Sequence, residues 1–134
     1  MRQQSILDLT ERMYADEHLS LEFISQSVTL DGRMVYLARK EYDLLALMVQ
    51  HVGEILPRDV LMKEIWNHGP DVRTRTLDVH MRRIRKKLGQ YADRAIETIF
   101  GVGYRFQPRH TPRWAGHSVV DVNQASAAES RQSI

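Results

Sequence analysis

The sequence predicts an α+β fold: an N-terminal antiparallel sheet, three helices and a C-terminal β-hairpin. Three observations predict it. Short alternating β-prone runs flank the pair Asp31-Gly32, which suits a tight hairpin turn. Three stretches between residues 39 and 88 carry apolar residues at intervals of three and four, the helical period. Two more β-prone runs then flank Phe100-Gly101-Val102-Gly103, a second hairpin signature.

Residues 2–17 open the chain with Ile6, Leu9 and Met13 on one possible helical face, and Leu7 and Tyr14 on another. A short helix is expected there. HLSLEF, QSVTL and MVYL follow as strands. RKEYDLLALMVQHVG places Tyr42, Leu45, Met48, Val49 and Val52 at helical spacing, with Gly53 as its stop. EIL is a short strand. Pro57 suits the first turn of a second helix, VLMKEIW, which Gly69-Pro70 ends. NHGPDVR is a loop. RTRTLDVHMRRIRKKL, residues 73–88, is the third helix, stopped by Gly89. AIETI and YRFQ are the strands of the closing hairpin. From Pro108 onward the chain is polar and aperiodic. The expected division is an extension at 1–18, a domain at 19–107 and a disordered tail at 108–134.

A chain of 134 residues holds one domain with tails. Its apolar share of 43% can supply a small core. With no cysteine, disulfides and thiolate metal sites are excluded. No apolar run reaches the length of a secretory signal or a membrane span, and a cytoplasmic location is expected. Net charge is +2, unevenly placed. Residues 1–72 carry −5, residues 73–109 carry +7 and the rest carry 0. Such asymmetry points to a polyanion met by one face.

Residues 73–88 concentrate that charge, with seven Lys or Arg and one acid, Asp78. On a wheel of about 100° per residue, Leu77, Met81, Ile84 and Leu88 fall within roughly 40° of one another's centre line. Arg75, Val79, Arg82, Arg83 and Lys86 fall at roughly 140–240°, on the far side. One face is thus built for burial, and the other is cationic with one apolar spot. Arginine can pair bidentately with guanine, and a small apolar group can meet a thymine methyl. Lysines and the remaining arginines can neutralise phosphates. A helix of this kind suits the major groove, and a hairpin directly after it is the wing of a winged helix.

RTLDVHMRRIRKKL followed by IETIFGVGYRF closely resembles the effector domain of OmpR/PhoB-type response regulators, the output half of two-component systems. LARKEYDLLALMV and LPRDVLMKEIW resemble its upstream blocks. The resemblance covers about residues 19–107, with four blocks agreeing in order and spacing. It implies a four-stranded N-terminal sheet, three helices, a wing and sequence-specific binding to promoter double-stranded DNA, often as head-to-tail dimers on direct repeats. It places Arg75, Thr76, Val79, His80, Arg82, Arg83 and Arg85 where DNA is touched, and Trp66, Thr98 and Tyr104 near its backbone. It makes loop 67–73 a candidate contact for RNA polymerase.

The chain departs from that pattern in four places. Ala38 stands three residues before Glu41 where the family has Thr or Ser, so the N-terminal capping box is expected to be lost, at roughly 0.5–2 kcal/mol. Pro57 replaces a Ser or Thr at the second helix. Phe100 stands at the wing tip where the family often has Arg or Lys. About 18 residues precede the first expected strand, too few for a receiver domain. The chain is therefore expected to be a free-standing effector or a fragment, without phosphorylation control of its own.

Other constellations carry less. Histidines 18, 51, 68, 80, 110 and 117 form no i, i+4 pair, so no metal is expected. FGVGY lacks the Lys-Ser/Thr and following helix of a phosphate loop, and its glycines are read as permitting the turn. No nucleophile elbow or carboxylate pair points to catalysis or a cofactor. Trp66 is expected to pack in the core or at its edge rather than stack on a cofactor. Tyr104 is expected to pack with its hydroxyl free for a phosphate. Asp78 is expected to orient a neighbouring Arg or cap the helix. The alternative function is a winged-helix module that binds polymerase or a regulatory partner. Against it, protein interfaces are depleted in Lys.

Overall fold

A computed structural model describes residues 12–67 and 74–108. Strands β1 (Met13–Ala15), β2 (Leu19–Glu22), β3 (Ser27–Leu30) and β4 (Arg33–Val35) lead into helices α1 (Arg39–Val49) and α2 (Arg58–Trp66), separated by β5 (Ile55–Pro57). Helix α3 (Thr74–Leu88) and the short α4 (Gln90–Ala95) precede β6 (Ile96–Ile99) and β7 (Gly103–Phe106). The first four strands form one antiparallel sheet in sequence order. The other three form a second sheet in the order β5-β7-β6. Among the described residues, no helix is long and apolar enough to cross a membrane.

The turn chemistry works as the sequence suggests at residues 31 and 32. Leu30 pairs with Arg33, and Asp31 and Gly32 take φ of 49° and 83°. Two positive φ values in a two-residue loop match the twist of the strands they join. The third-helix stripe is also where the wheel puts it. Leu77, Met81, Ile84 and Leu88 are all at most 2% exposed. Each such burial is worth roughly 1.5–3 kcal/mol, so this stripe is what holds α3 against α1, α2 and α4.

Several elements differ from expectation. The sheet begins at Met13, ahead of the boundary drawn at residue 19. The expected helix over 2–17 is replaced at 13–15 by β1, while residues 1–11 lie outside the described residues. Buried Asp16 explains why β1 belongs to the domain. Its carboxylate accepts from the Tyr14 and Tyr91 hydroxyls at 2.6 and 2.5 Å and from the backbone N–H groups of His18 and Leu19 at 2.8 Å each. A buried acid needs such partners, and Tyr91 brings one of them from α4. That helix is a fourth, unpredicted one. Six residues are too few to show a period, though Tyr91, Ala92 and Ala95 are buried. Burial and contact with Asp16 push both tyrosine hydroxyls well above their ordinary pKa.

Two helix ends also move. Gly53 does not stop α1, which ends at Val49. Gly53 instead turns toward β5 with φ 86°, its N–H donating to the Phe106 carbonyl. Asn67, rather than Gly69-Pro70, stops α2 by taking a left-handed conformation. Half of the α1 capping box survives. Ala38 has no side-chain acceptor, but its N–H donates to Glu41 Oε1 at 3.0 Å. Lys87 Nζ donates to the same oxygen at 2.7 Å. Burial pushes the Glu41 pKa up, yet Lys87 and the Ala38 N–H together outweigh it, and the net shift is downward.

Gly103 has a use other than the turn. A Cβ there would lie 2.0 Å from the Leu56 carbonyl oxygen, because β7 runs against β5. Gly103→Ala is expected to force the two strands apart and cost about 2 kcal/mol or more. Thermal unfolding of the variant checks this; an unchanged melting temperature would show that the strands yield freely.

Candidate nucleic-acid interface

Helix α3 is divided lengthwise. Opposite its buried stripe, Arg75, Arg82, Arg83 and Lys86 are exposed, and Val79 is half-buried between them. Among the described residues, these four cations have no ion-pair or hydrogen-bond partner. Unpaired, they remain available to an external anion. Thr76 and His80 lie half-buried along one side of this strip. His80 Nδ1 lies 2.8 Å from the Thr76 carbonyl oxygen. A carbonyl can only accept, so Nδ1 carries the proton and Nε2 is left for other contacts. The His80 ring meets the Trp66 indole edge-on at 5.0 Å between centroids. Trp66 therefore sits at the core edge, as expected, and fixes the flank of the strip.

The remaining cations near α3 are committed inward. Arg85, grouped by family resemblance with the DNA-touching residues, donates to the Thr98 hydroxyl at 2.8 Å and to the Ile96 carbonyl at 3.2 Å. Its guanidinium also lies 5.6 Å from the centre of the Tyr104 ring. Arg58, from α2, donates to both oxygens of Asp78 and sits 5.9 Å from the same ring. The Tyr104 hydroxyl donates to Asp78 at 2.8 Å. The expectation that this hydroxyl is free for a phosphate is thus corrected: Tyr104 is 4% exposed, and its proton is already given to a carboxylate. Asp78 does orient an arginine, but one from another helix.

This cluster joins α2, α3, β6 and β7. Burial would raise the Asp78 pKa. The hydrogen bonds from Arg58 and Tyr104, with the Arg58 charge, overcome it and hold the carboxyl below its ordinary range. Burial and the bond to Asp78 push Tyr104 up. The lone acid on a cationic helix is consumed internally, so it subtracts little from the outward field.

The hairpin beyond the cluster carries a different surface. Phe100 is 89% exposed and Val102 44%. Arg105, on β7, is paired with Glu97 at 2.6 Å. Of the sequence-named residues, Arg75, Val79, Arg82, Arg83 and Lys86 share one open face. Arg85, Thr98 and Tyr104 meet in the cluster behind it. Arg58 was not singled out from the sequence; no local pattern around residue 58 reports a partner on α3. Loop 67–73, beyond Asn67, lies outside the described residues.

The family described as "Transcriptional regulatory protein, C terminal" matches residues 32–106. The transcriptional regulatory protein HprR of Escherichia coli strain K12 is 42% identical over 89 residues, which cover 66% of this chain and 40% of HprR. ResD of Bacillus subtilis is 36% identical, over 73% of this chain and 42% of ResD. The chain thus spans about two-fifths of the length of these relatives. Among solved structures, the RstA DNA-binding domain of Klebsiella pneumoniae, determined in complex with the RstA box, is similar at TM-score 0.67 and 31% identity, over 73% of this chain and 99% of that one. Response regulator DrrB of Thermotoga maritima, an OmpR/PhoB homolog, is similar at TM-score 0.67 and 28% identity, over 76% of this chain and 49% of that one.

The Asp78 cluster yields a pH signature. A carboxyl whose pKa falls on folding adds stability above its unfolded pKa, and that stability is lost as pH drops through the folded value. Asp78→Asn is expected to lower stability near neutral pH by about 1 kcal/mol, a value held down because the Asp78 side chain is 47% exposed. The gap between wild type and variant should close as pH falls below about 4. Melting curves of both proteins across pH check this; a gap that stays constant to low pH would mean the charge of Asp78 is irrelevant.

Proposed function

The chain belongs to the OmpR/PhoB-type family of transcriptional regulatory protein C-terminal domains, and on that basis we propose that it is a transcriptional regulator that binds promoter double-stranded DNA sequence-specifically through α3. The observation that carries this reading is the sorting of cations on α3. Four face outward without partners among the described residues, while Arg85 and Lys87 are spent on internal contacts. A face that had evolved merely to be solvated would need no such separation.

In this reading α3 lies in the major groove. Arg82 and Arg83 read base edges, Val79 offers an apolar contact, and Arg75 and Lys86 meet phosphates on either side. Thr76 and His80 line the flank of the helix. Arg85 acts behind the face, setting the angle between helix and wing. Trp66, Thr98 and Tyr104 brace that arrangement. A second copy on an adjacent direct repeat and RNA polymerase at loop 67–73 are the protein partners consistent with this reading. The compartment is the cytoplasm, and no catalysis is required.

With roughly 5–8 phosphate contacts, log K against log salt should slope by about −4 to −7. Equilibrium binding to duplex DNA at several salt concentrations measures it, and a slope near zero would refute DNA binding. Arg83→Ala should weaken binding to a site selected from random duplexes by about 1–3 kcal/mol and relax choice at one base pair. Competition between the selected site and random DNA separates the roles: equal losses on both would reassign Arg83 to phosphate.

A further inference from the structure

The tip of the hairpin is apolar, exposed and rigidly mounted. Phe100 is 89% exposed and packs on no part of the described domain. It does not fold back because the turn is closed from two sides. The Val102 N–H donates to the Ile99 carbonyl at 2.9 Å, and the Val102 carbonyl accepts from the Arg58 N–H at 2.9 Å. Gly101 takes φ of 79°, a conformation that fixes the turn and that side chains resist. The mount is in turn locked to α3 by the Arg85–Thr98 and Tyr104–Asp78 bonds.

The position of this tip defines what it meets. Phe100 stands two residues beyond Thr98, roughly 7 Å further out along the strand. With the open face of α3 in the major groove, a hairpin extending sideways from that helix crosses one phosphate ridge and reaches the adjacent minor groove. A cation would be the expected guest of that groove. Among the described residues the wing has none to give, since Arg105 is paired with Glu97. An exposed aromatic ring gains from the groove only where apolar base faces are uncovered, and that requires a base step to open.

We infer that Phe100 is an apolar wedge that inserts from the wing tip into a base step of the minor groove, unstacking it and bending the duplex. This rests on the DNA-binding reading above and adds to it a site, a ligand and a source of specificity. Apolar side chains in minor-groove proteins act in this way, exchanging the cost of unstacking for a bent duplex. Pyrimidine–purine steps open most easily. The wing therefore selects such a step at a fixed distance from the bases read by α3, without hydrogen bonding to it. Val102, beside Phe100, covers the sugar edge.

The test uses the full chain and a duplex selected from random DNA by the wild type, with 2-aminopurine placed in turn at each flanking step. Wild type should raise the fluorescence at one flanking step and shorten the end-to-end distance of a doubly labelled duplex. Phe100→Ala should lose both signals and bind roughly 5–100-fold more weakly, with an unchanged melting temperature because the side chain is exposed. Phe100→Trp should restore them. Sites selected by wild type should favour a pyrimidine–purine step at that place, and sites selected by Phe100→Ala should not. The wedge is overturned if no flanking step responds to wild type, or if the response survives in Phe100→Ala. It is also overturned if Phe100→Ala alters only the cooperativity of two copies on adjacent sites, which would make Phe100 a protein contact. Salt-independent binding by wild type would instead remove the DNA-binding reading itself.

Discussion

Asp78 is the constraint on which the geometry of this domain turns. It is the lone acid in the most cationic stretch of the chain, and it takes hydrogen bonds from Arg58 on α2 and Tyr104 on β7. The Tyr104 ring lies near two guanidiniums, those of Arg58 and Arg85. Arg85 extends the chain of contacts to Thr98 on β6. Helix α3 alone could rotate about its own apolar stripe, because hydrophobic burial is not directional. Directed bonds at one point on each neighbour remove that freedom. The hairpin and the open face of α3 are therefore tied to one another through these bonds.

How much of this is legible in the sequence depends on how local the cause is. The buried stripe of α3 is legible because burial follows angle around a helix, and Leu77, Met81, Ile84 and Leu88 declare that angle. The outward strip is legible for the same reason. Arg85 is not. It lies at roughly 80° from Leu77, between the faces, and its partner is on a strand that the helical period knows nothing about. The family resemblance groups it with the DNA-touching residues, while the contacts turn it toward β6. Asp16 is missed for a related reason. Its partner Tyr91 stands 75 residues away, and a single acid in a mixed stretch has no signature. Gly103 looks like a turn residue beside Gly101, yet its need arises from the close approach of β5, which pairs with β7 only after folding.

The departures from the family pattern can be ranked by what compensates them. Ala38 costs one capping acceptor, but Glu41 still takes the Ala38 N–H and gains Lys87 as a charged partner. The reciprocal half of the box, once tied to a lysine from α3, fastens two helices rather than one helix end. Pro57 serves both as the last residue of β5 and as the residue before α2. Its missing N–H is no loss at a helix start. Phe100 has no such compensation inside the domain. An uncompensated change at an exposed, braced position is the kind that function rather than stability has to explain.

In the proposed reading, the charge distribution bears on specificity more than on strength. In that reading, a chain of net charge +2 engages a polyanion through the local excess on residues 73–109 rather than through its overall charge. The unpaired cations of α3 are gathered on its open face. Interactions screened within about 10 Å at ordinary salt reward close fit over mere proximity. Acids outnumber bases in the first 72 residues, which disfavours phosphate contact there. The internal use of Arg58, Arg85, Lys87 and Arg105 has the same effect. Each pairs with a group of the protein, and each is thereby withdrawn from indiscriminate contact. Among the described residues, what α3 leaves unpaired is a strip beside an uncharged wing tip, and in the proposed reading a duplex has to satisfy both.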